Sequence, residues 1–168
     1  MKKYSVGSIV LHAVQGIGLL FILLSGSLVL SEMPNNIDKI DSFKIHMILG
    51  VVLLVLTFVR IWFILKSPKV EPLPIVGFRQ KLVKINHILI YVVIAIMGIS
   101  GIVTAQLAGL GDIVFFGSTQ AIQLDGITSA LVHEVLAKVL MFLIVMHVLG
   151  VLSYAIKTKE NILKRMWF

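Results

Sequence analysis

Four long apolar runs divide the chain, and most of the charged residues lie between these runs or beyond them. The runs span residues 8–30, 46–65, 86–110 and 127–156. Each reaches the roughly 20 residues with which a helix crosses the hydrocarbon core of a bilayer. Because no backbone polar group can stay unpaired in lipid, such runs fold as helices. The pattern therefore predicts an all-α membrane protein, a four-helix bundle that forms a single domain over residues 1–168.

The composition supports a membrane protein and excludes several kinds of chemistry. Hydrophobic residues make up 58% of the 168 residues and charged residues 14%, whereas a soluble domain carries about 25% charged residues. The mean hydropathy is +1.04. There is no cysteine, which excludes disulfides, Cys-ligated zinc, iron–sulfur clusters and thiol catalysis. The first run is longer than the apolar part of a signal peptide and lacks an A-x-A-like exit, so it is expected to remain as a helix.

The charges are distributed unequally between the two sides of the predicted membrane. One side collects most of the basic residues: Lys2, Lys3, Lys66, Lys69, Arg79, Lys81, Lys84, Lys157, Lys159, Lys164 and Arg165. The other side carries Lys39 and Lys44 with five acidic residues: Glu32, Asp38, Asp41, Asp112 and Asp125. The positive-inside rule places both termini and the loop of residues 66–85 in the cytoplasm. The net charge of +7 then reflects topology and contact with anionic lipid headgroups, and nucleic-acid binding is not expected.

Five histidines lie in or beside the apolar runs, at two predicted depths. His12, His87 and His147 belong to the inner half of the membrane, with His87 at the start of the third run. His46, at the outer end of the second run, and His133 belong to the outer half. The 14 residues between His133 and His147 correspond to ~21 Å of rise and an angular offset of about −40°. The fourth helix therefore presents one histidine to each half of the membrane on roughly one face.

The histidines combine by depth into two pairs, His46 with His133 and His12 with His147. Two such pairs predict two bis-histidine haem b groups, because a porphyrin supplies four nitrogens to iron and two imidazoles complete the coordination. A zinc site would need three or four converging protein ligands. For any single histidine, a hydrogen bond to a neighbouring helix is the alternative explanation. Iron with two axial imidazoles has no open position, which predicts outer-sphere electron transfer.

Glycines near three of these histidines would leave room for a flat porphyrin. They are Gly16, Gly50 and Gly150, three or four residues after His12, His46 and His147. Close helix packing through small residues is the alternative explanation.

Four further residues are candidates on the inner side. His87 is expected to contact a haem propionate or a quinone headgroup, because the residues one turn further along are bulky. It is also the rival partner of His147, or a polar residue at the interface. Arg60 and Trp62 are candidates for contact with quinone or a propionate, and Tyr154 for contact with quinone. Their ordinary roles would be snorkelling to lipid phosphate and an aromatic belt.

The residues around these histidines resemble the prokaryotic cytochrome b561 family over nearly the whole chain. The matching features are His12 after a basic N-terminus, KIHMILG and FVRIWFILKSP at the ends of the second run, NHILIYVV in the third and VHEVLAKVLMFLIVMH in the fourth. The resemblance implies two b haems on the pairs named above and electron exchange with the quinone pool. The best-understood stand-alone members are superoxide oxidases, which pass electrons from periplasmic superoxide to ubiquinone. An oxidoreductase of this kind is the expected function.

The architecture also looks like that of the cytochrome b subunits of membrane formate dehydrogenases and hydrogenases. The alternative function is therefore an electron-transfer subunit that serves a partner dehydrogenase or hydrogenase. The compact length and short outer loops favour the stand-alone oxidase. A membrane protein with purely structural histidines is a third alternative.

Lys138 departs from the family, in which a neutral polar residue is usual at this place. It follows Glu134 by four residues, the spacing of an ion pair along a helix. Lys138 either snorkels outward or lends positive potential to a path for superoxide. Lys44 and Lys39 are the other outer candidates for attracting superoxide. Because the outer loops are net acidic, any such attraction must be local.

Overall fold

The computed structural model describes residues 4–34, 37–67, 75, 77–119 and 122–159. Within these residues the chain is helical and contains no β-strand, which confirms the predicted all-α class. The helices are α1 (Val6–Ser25), continued by a π-helical turn (Gly26–Leu30), α2 (Ile37–Lys66), α3 (Phe78–Leu107), α4 (Leu110–Phe116) and α5 (Thr128–Thr158).

Four of these segments are long and apolar enough to cross a membrane, namely Val6–Leu30, Asp38–Lys66, Phe78–Leu107 and Thr128–Thr158. In each segment, at most 22% of the residues in its most apolar 18-residue stretch are buried inside the bundle. Large aliphatic side chains therefore point outward, as Ile17 and Leu28 do. An apolar surface of this extent is expected on a protein whose surroundings are lipid.

The helices differ from the predicted runs mainly in where α2 and α3 begin. The structure starts α2 at Ile37 rather than at residue 46, and it starts α3 at Phe78 rather than at residue 86. The charged residues before each apolar run do not end the helix, because a helix satisfies its backbone in the headgroup region as well as in lipid. His46 and His87 consequently lie well inside their helices and not at the helix ends where the sequence placed them.

The third predicted span ends early, at Leu107 instead of residue 110, and α4 follows it. Gly109 adopts a left-handed conformation with φ 61°, which favours glycine and separates the two helices. The buried side chains of α4 pack with Phe43 of α2 in a small second core: Leu110, Ile113 and Val114. The sequence did not predict α4, since seven residues are too few to show a helical period.

The main core lies at mid-height, between the levels of the five histidines. It contains Leu19, Ile22, Leu23, Leu53, Val93, Ile94, Met97, Leu140 and Leu143. Leu140 is fully buried and stands halfway between His133 and His147 along α5. An apolar layer therefore separates the two levels at which the histidines gather.

Helix α5 packs along α3, whereas its backbone comes close to α1 and α2 at few points. Two hydrogen bonds join α3 to α5 near one end. Arg79 Nη2 donates to Ser153 Oγ at 2.6 Å, and Asn86 Nδ2 donates to the Leu143 carbonyl at 3.3 Å. The space between α5 and the α1–α2 pair is crossed mainly by side chains, and the histidines are among them.

Candidate functional site

The first histidine pair joins α1 to α5. The ring centroids of His12 and His147 are 6.2 Å apart, with the rings nearly perpendicular. Both rings are half-buried. We call this pair the His12 site.

The second pair joins α2 to α5. The ring centroids of His46 and His133 are 6.1 Å apart. His133 Nδ1 lies 2.8 Å from the Met97 carbonyl and 3.4 Å from Ser100 Oγ. Because a carbonyl only accepts, Nδ1 carries the hydrogen and donates it, which leaves Nε2 with a lone pair for a metal. We call this pair the His46 site.

The spacing of each pair fits two imidazoles on opposite sides of one metal ion. A bond from metal to imidazole nitrogen is about 2.0–2.1 Å, and the ring centre lies about 1 Å beyond the nitrogen, so two such rings have centroids about 6 Å apart. In addition, the Nδ1 atoms of His12 and His46 are buried without a hydrogen-bond partner. An unsatisfied buried nitrogen is costly in a protein on its own. Both sites therefore fit a ligand that the protein chain does not supply.

The protein chain supplies too few ligands to hold a metal ion by itself at either site. Across the described ranges, no three His, Cys, Asp or Glu side chains converge as a metal site would require. A porphyrin brings four nitrogens of its own, so two imidazoles are enough. The residues present therefore fit haem better than a bare ion.

Glycines lie next to both histidine sites, but not all of them are the glycines that the sequence predicted. A Cβ atom at Gly16 or Gly150 would meet nothing within 4 Å, so the space beside them is open. At Gly50 it would meet Ile22 at 3.6 Å. Open space beside two of the three glycines agrees with the room expected for a flat group.

Two glycines that sequence reasoning missed contact the His46 site directly. A Cβ at Gly26 would lie 3.0 Å from His46 Cε1, and one at Gly101 would lie 3.0 Å from His133 Cε1. Each glycine thus lets an imidazole rest against the backbone of the neighbouring helix. Gly26 also begins the π-helical turn after α1. The predicted glycines lie on the same helix as the histidine they adjoin, whereas Gly26 and Gly101 contact a histidine of a neighbouring helix.

His87 lies beside the His12 site. Its ring centroid is 4.9 Å from that of His147, and its Nδ1 donates to the Val83 carbonyl at 2.7 Å. The 4.9 Å separation is about 1 Å too short for two axial ligands of one metal, whereas the His12–His147 separation fits. The structure therefore brings three histidines together, and the geometry favours His12 as the partner of His147.

A chain of polar side chains reaches the His12 site from α2. Arg60 Nη1 donates to Gln15 Oε1 at 3.4 Å, and Gln15 Nε2 donates to Thr57 Oγ1 at 2.5 Å. Gln15 and Thr57 are fully buried, at 1% and 0% exposure. The Arg60 guanidinium also lies 5.8 Å from the centre of the Tyr91 ring, a cation–π contact,. Because Gln15 lies one helical turn after His12 on α1,, its hydrogen bond to Arg60 places the guanidinium beside the His12 site.

Gln15 and Thr57 were not recognised from the sequence, although a signal was present. Gln15 follows His12 by three residues and Thr57 precedes Arg60 by three. Residues three apart share a helix face. Polar residues inside apolar spans usually mark functional sites.

The remaining candidates lie at the outside of the bundle. Trp62 is 56% exposed and its ring packs against Phe63. Lys138 Nζ donates to Glu134 Oε1 at 2.6 Å, and both side chains are more than 60% exposed. The Lys44 ammonium lies 5.9 Å from the centre of the Phe115 ring of α4. None of these contacts reaches a histidine ring.

The chain has four apolar spans and two imidazole pairs on either side of an apolar core. By class it is therefore a helical membrane protein built around paired histidines. The family model for prokaryotic cytochrome b561 matches residues 3–168, and the chain belongs to this family. It is therefore a multi-pass membrane protein with a haem b electron-transfer function. Comparisons with curated proteins and with solved structures gave no match.

Proposed function

We propose that the protein binds two b haems, one at each histidine site, and passes electrons between superoxide and ubiquinone. The proposal is carried by the two imidazole pairs that join α5 to α1 and to α2, with ring centroids 6.2 and 6.1 Å apart. Haem supplies a one-electron iron couple at each site when bound. The chain forms one cytochrome b domain, and His12 with His147 and His46 with His133 are the iron ligands.

The orientation follows from the positive-inside rule. Both termini face the cytoplasm of a bacterium, and the inner membrane is the bilayer that is spanned. The His12 site then lies in the cytoplasmic half and the His46 site in the periplasmic half. The outward apolar side chains contact lipid, and the basic ends contact anionic headgroups.

Superoxide is the proposed donor at the His46 site. A cavity of about 110 Å³ adjoins this site between α1 and α2, and its mostly apolar walls also include His46, Ser25 and Ser42. It is smaller than the roughly 300 Å³ at which drug-sized ligand pockets begin, so its volume suits a small molecule better than a quinone ring. Lys44 and Lys138 are the nearby cations proposed to attract the anion. Lys44 is the stronger candidate, because Glu134 offsets the charge of Lys138.

Ubiquinone is the proposed acceptor on the cytoplasmic side. His87 is exposed and adjoins the His12 site, so its free nitrogen is available to a quinone headgroup or a haem propionate. Arg60 offers its guanidinium to the same groups, while Trp62 faces outward, where a quinone would arrive from lipid. Two superoxide ions lose one electron each and become dioxygen. One ubiquinone takes up both electrons and two protons and becomes ubiquinol.

Pulse radiolysis of the purified, oxidised full chain tests the proposal. A superoxide pulse should reduce haem within the pulse experiment, and added ubiquinone should restore the oxidised spectrum. His46→Ala should abolish the fast reduction, while His87→Ala should keep it. If the wild-type haems stay oxidised after the pulse, the oxidase activity is contradicted. The electron-transfer subunit of a partner dehydrogenase or hydrogenase would then be the better account.

A further inference from the structure

Arg60 occupies on α2 the position that corresponds to His147 on α5. Arg60 follows His46 by 14 residues, and His147 follows His133 by the same number. This spacing corresponds to ~21 Å of rise and a small angular offset. His46 on α2 and His133 on α5 therefore belong to the His46 site. Fourteen residues further along, Arg60 and His147 both reach the level of the His12 site. At that level α5 carries a ligand, whereas α2 carries a positive charge.

The guanidinium of Arg60 contacts uncharged groups. Its hydrogen-bond partner is the amide oxygen of Gln15, and its ring contact is Tyr91. No carboxylate pairs with Arg60 among the described residues, and the ion pair of Lys138 with Glu134 lies closer along α5 to His133 than to His147. A guanidinium inside a membrane bundle is costly unless something nearby gains from its charge. A haem at the His12 site, beside Arg60, would gain from this positive charge.

The His46 site has no comparable charge. The neighbours of its two rings are neutral: the partner imidazole, the Met97 carbonyl, the Ser100 hydroxyl and the backbone at Gly26 and Gly101. The Lys44 ammonium lies against Phe115, and Lys138 lies against Glu134 at the exposed surface. The two sites therefore have nearly the same ring spacing, but among the described residues a partly buried positive charge lies beside the His12 site and not beside the His46 site.

We propose that Arg60 raises the reduction potential of the haem iron at the His12 site above that at the His46 site, so that electrons pass from the His46 site to the His12 site. This inference rests on the proposed two-haem function. With haem held at both sites, one electron would leave iron at the His46 site (Fe²⁺ to Fe³⁺) and be taken up by iron at the His12 site (Fe³⁺ to Fe²⁺). Arg60 keeps its proton, because guanidinium is not deprotonated in proteins.

The physical reason is that reduction adds one negative charge to a site. A positive charge nearby stabilises the reduced form more than the oxidised form, and the effect is large where water is excluded. Gln15 accepts a hydrogen bond from the guanidinium, and Thr57 in turn fixes the buried Gln15 amide. If a haem propionate pairs with Arg60, removal of Arg60 leaves that carboxylate unpaired, so the potential at the His12 site falls in this case as well.

Potentiometric titration of the purified full chain tests the inference, with haem spectra as the readout. Arg60→Gln should lower the potential at the His12 site and shift the electron equilibrium toward the His46 site on the order of tenfold, which is about 59 mV for one electron. Arg60→Lys keeps the charge and should keep most of the potential. Lys157→Gln removes an exposed charge from the last turn of α5 and should shift neither site. The His46→Ala background isolates the His12 site for assignment.

A second variant covers the case in which Arg60→Gln does not bind haem. Gln15→Glu leaves Arg60 in place but sets a carboxylate where the amide oxygen lies 3.4 Å from the guanidinium. It should lower the potential at the His12 site in the same direction. The inference is overturned if either variant binds two haems and leaves the His12 site potential unchanged, or if both sites shift equally. Failure of the proposed function looks different, because the wild-type chain would then lack two b haems or fail to react with superoxide.

Discussion

The two histidine sites share helix α5 but differ in what surrounds the ligands. At the His46 site, His133 is fixed by the Met97 carbonyl, and both rings rest against glycines of neighbouring helices. At the His12 site the surroundings include a third histidine, a guanidinium and a buried amide. The 14-residue spacing of the two α5 histidines therefore sets the positions of both sites. The neighbouring helices determine the charges around each site and how it can be reached from outside the bundle.

The largest expected effect is the loss of a haem from the His46 site, which has no spare imidazole. His133→Ala removes one ligand and also the hydrogen bond to Met97, so the haem content should fall from two per chain to one. Haem extraction with a parallel protein assay measures this ratio. Unchanged content in this variant would contradict the ligand role of His133.

The next effect separates the three histidines of the His12 site. His12→Ala should cost one haem, because the 6.2 Å between the His12 and His147 rings fits two imidazoles on one metal ion. His87→Ala serves as the matched control and should keep both haems, since its ring lies too close to His147 to share the metal with it. If His87→Ala costs a haem and His12→Ala does not, the assignment of this pair is wrong.

A smaller effect is expected at Gly101. The added Cβ of Gly101→Ala would lie 3.0 Å from the His133 ring, and the ring must move away from it. Changes that reorient a ligand typically weaken metal binding 10- to 100-fold, so haem should be retained less well during dilution at the His46 site only. Gly111→Ala is the control, because a Cβ there meets nothing within 4 Å. Equal haem loss in both variants would argue against a specific contact.

The smallest effects concern the outer lysines. Lys44→Gln should slow the reaction with superoxide a few-fold and reduce its dependence on salt, as expected for electrostatic attraction. Lys138→Gln should change the rate less, because Glu134 already pairs with Lys138. Rate constants at low and high ionic strength measure both. A larger effect from Lys138 would reverse the ranking of the two residues.

The helices and the meeting of the histidines were largely predictable from the sequence, because apolar length and depth follow from local composition. The predicted first and last spans, 8–30 and 127–156, differ from the observed segments by at most two residues at either end. The starts of α2 and α3 were misplaced, since charged residues can continue a helix beyond the lipid. The contacts of Gly26 and Gly101 depend on how helices rotate against each other, and so does the Gln15–Arg60 bond. A single sequence without its packing does not contain that information.

The haem content and spin state of the purified full chain test the central claim most directly. Two histidine pairs predict two haems b per chain, both low-spin in the ferric state, because each proposed pair would give one iron two imidazole ligands. Electron paramagnetic resonance together with a haem assay gives both quantities. A single haem per chain, or a high-spin iron with an open position, would contradict the account.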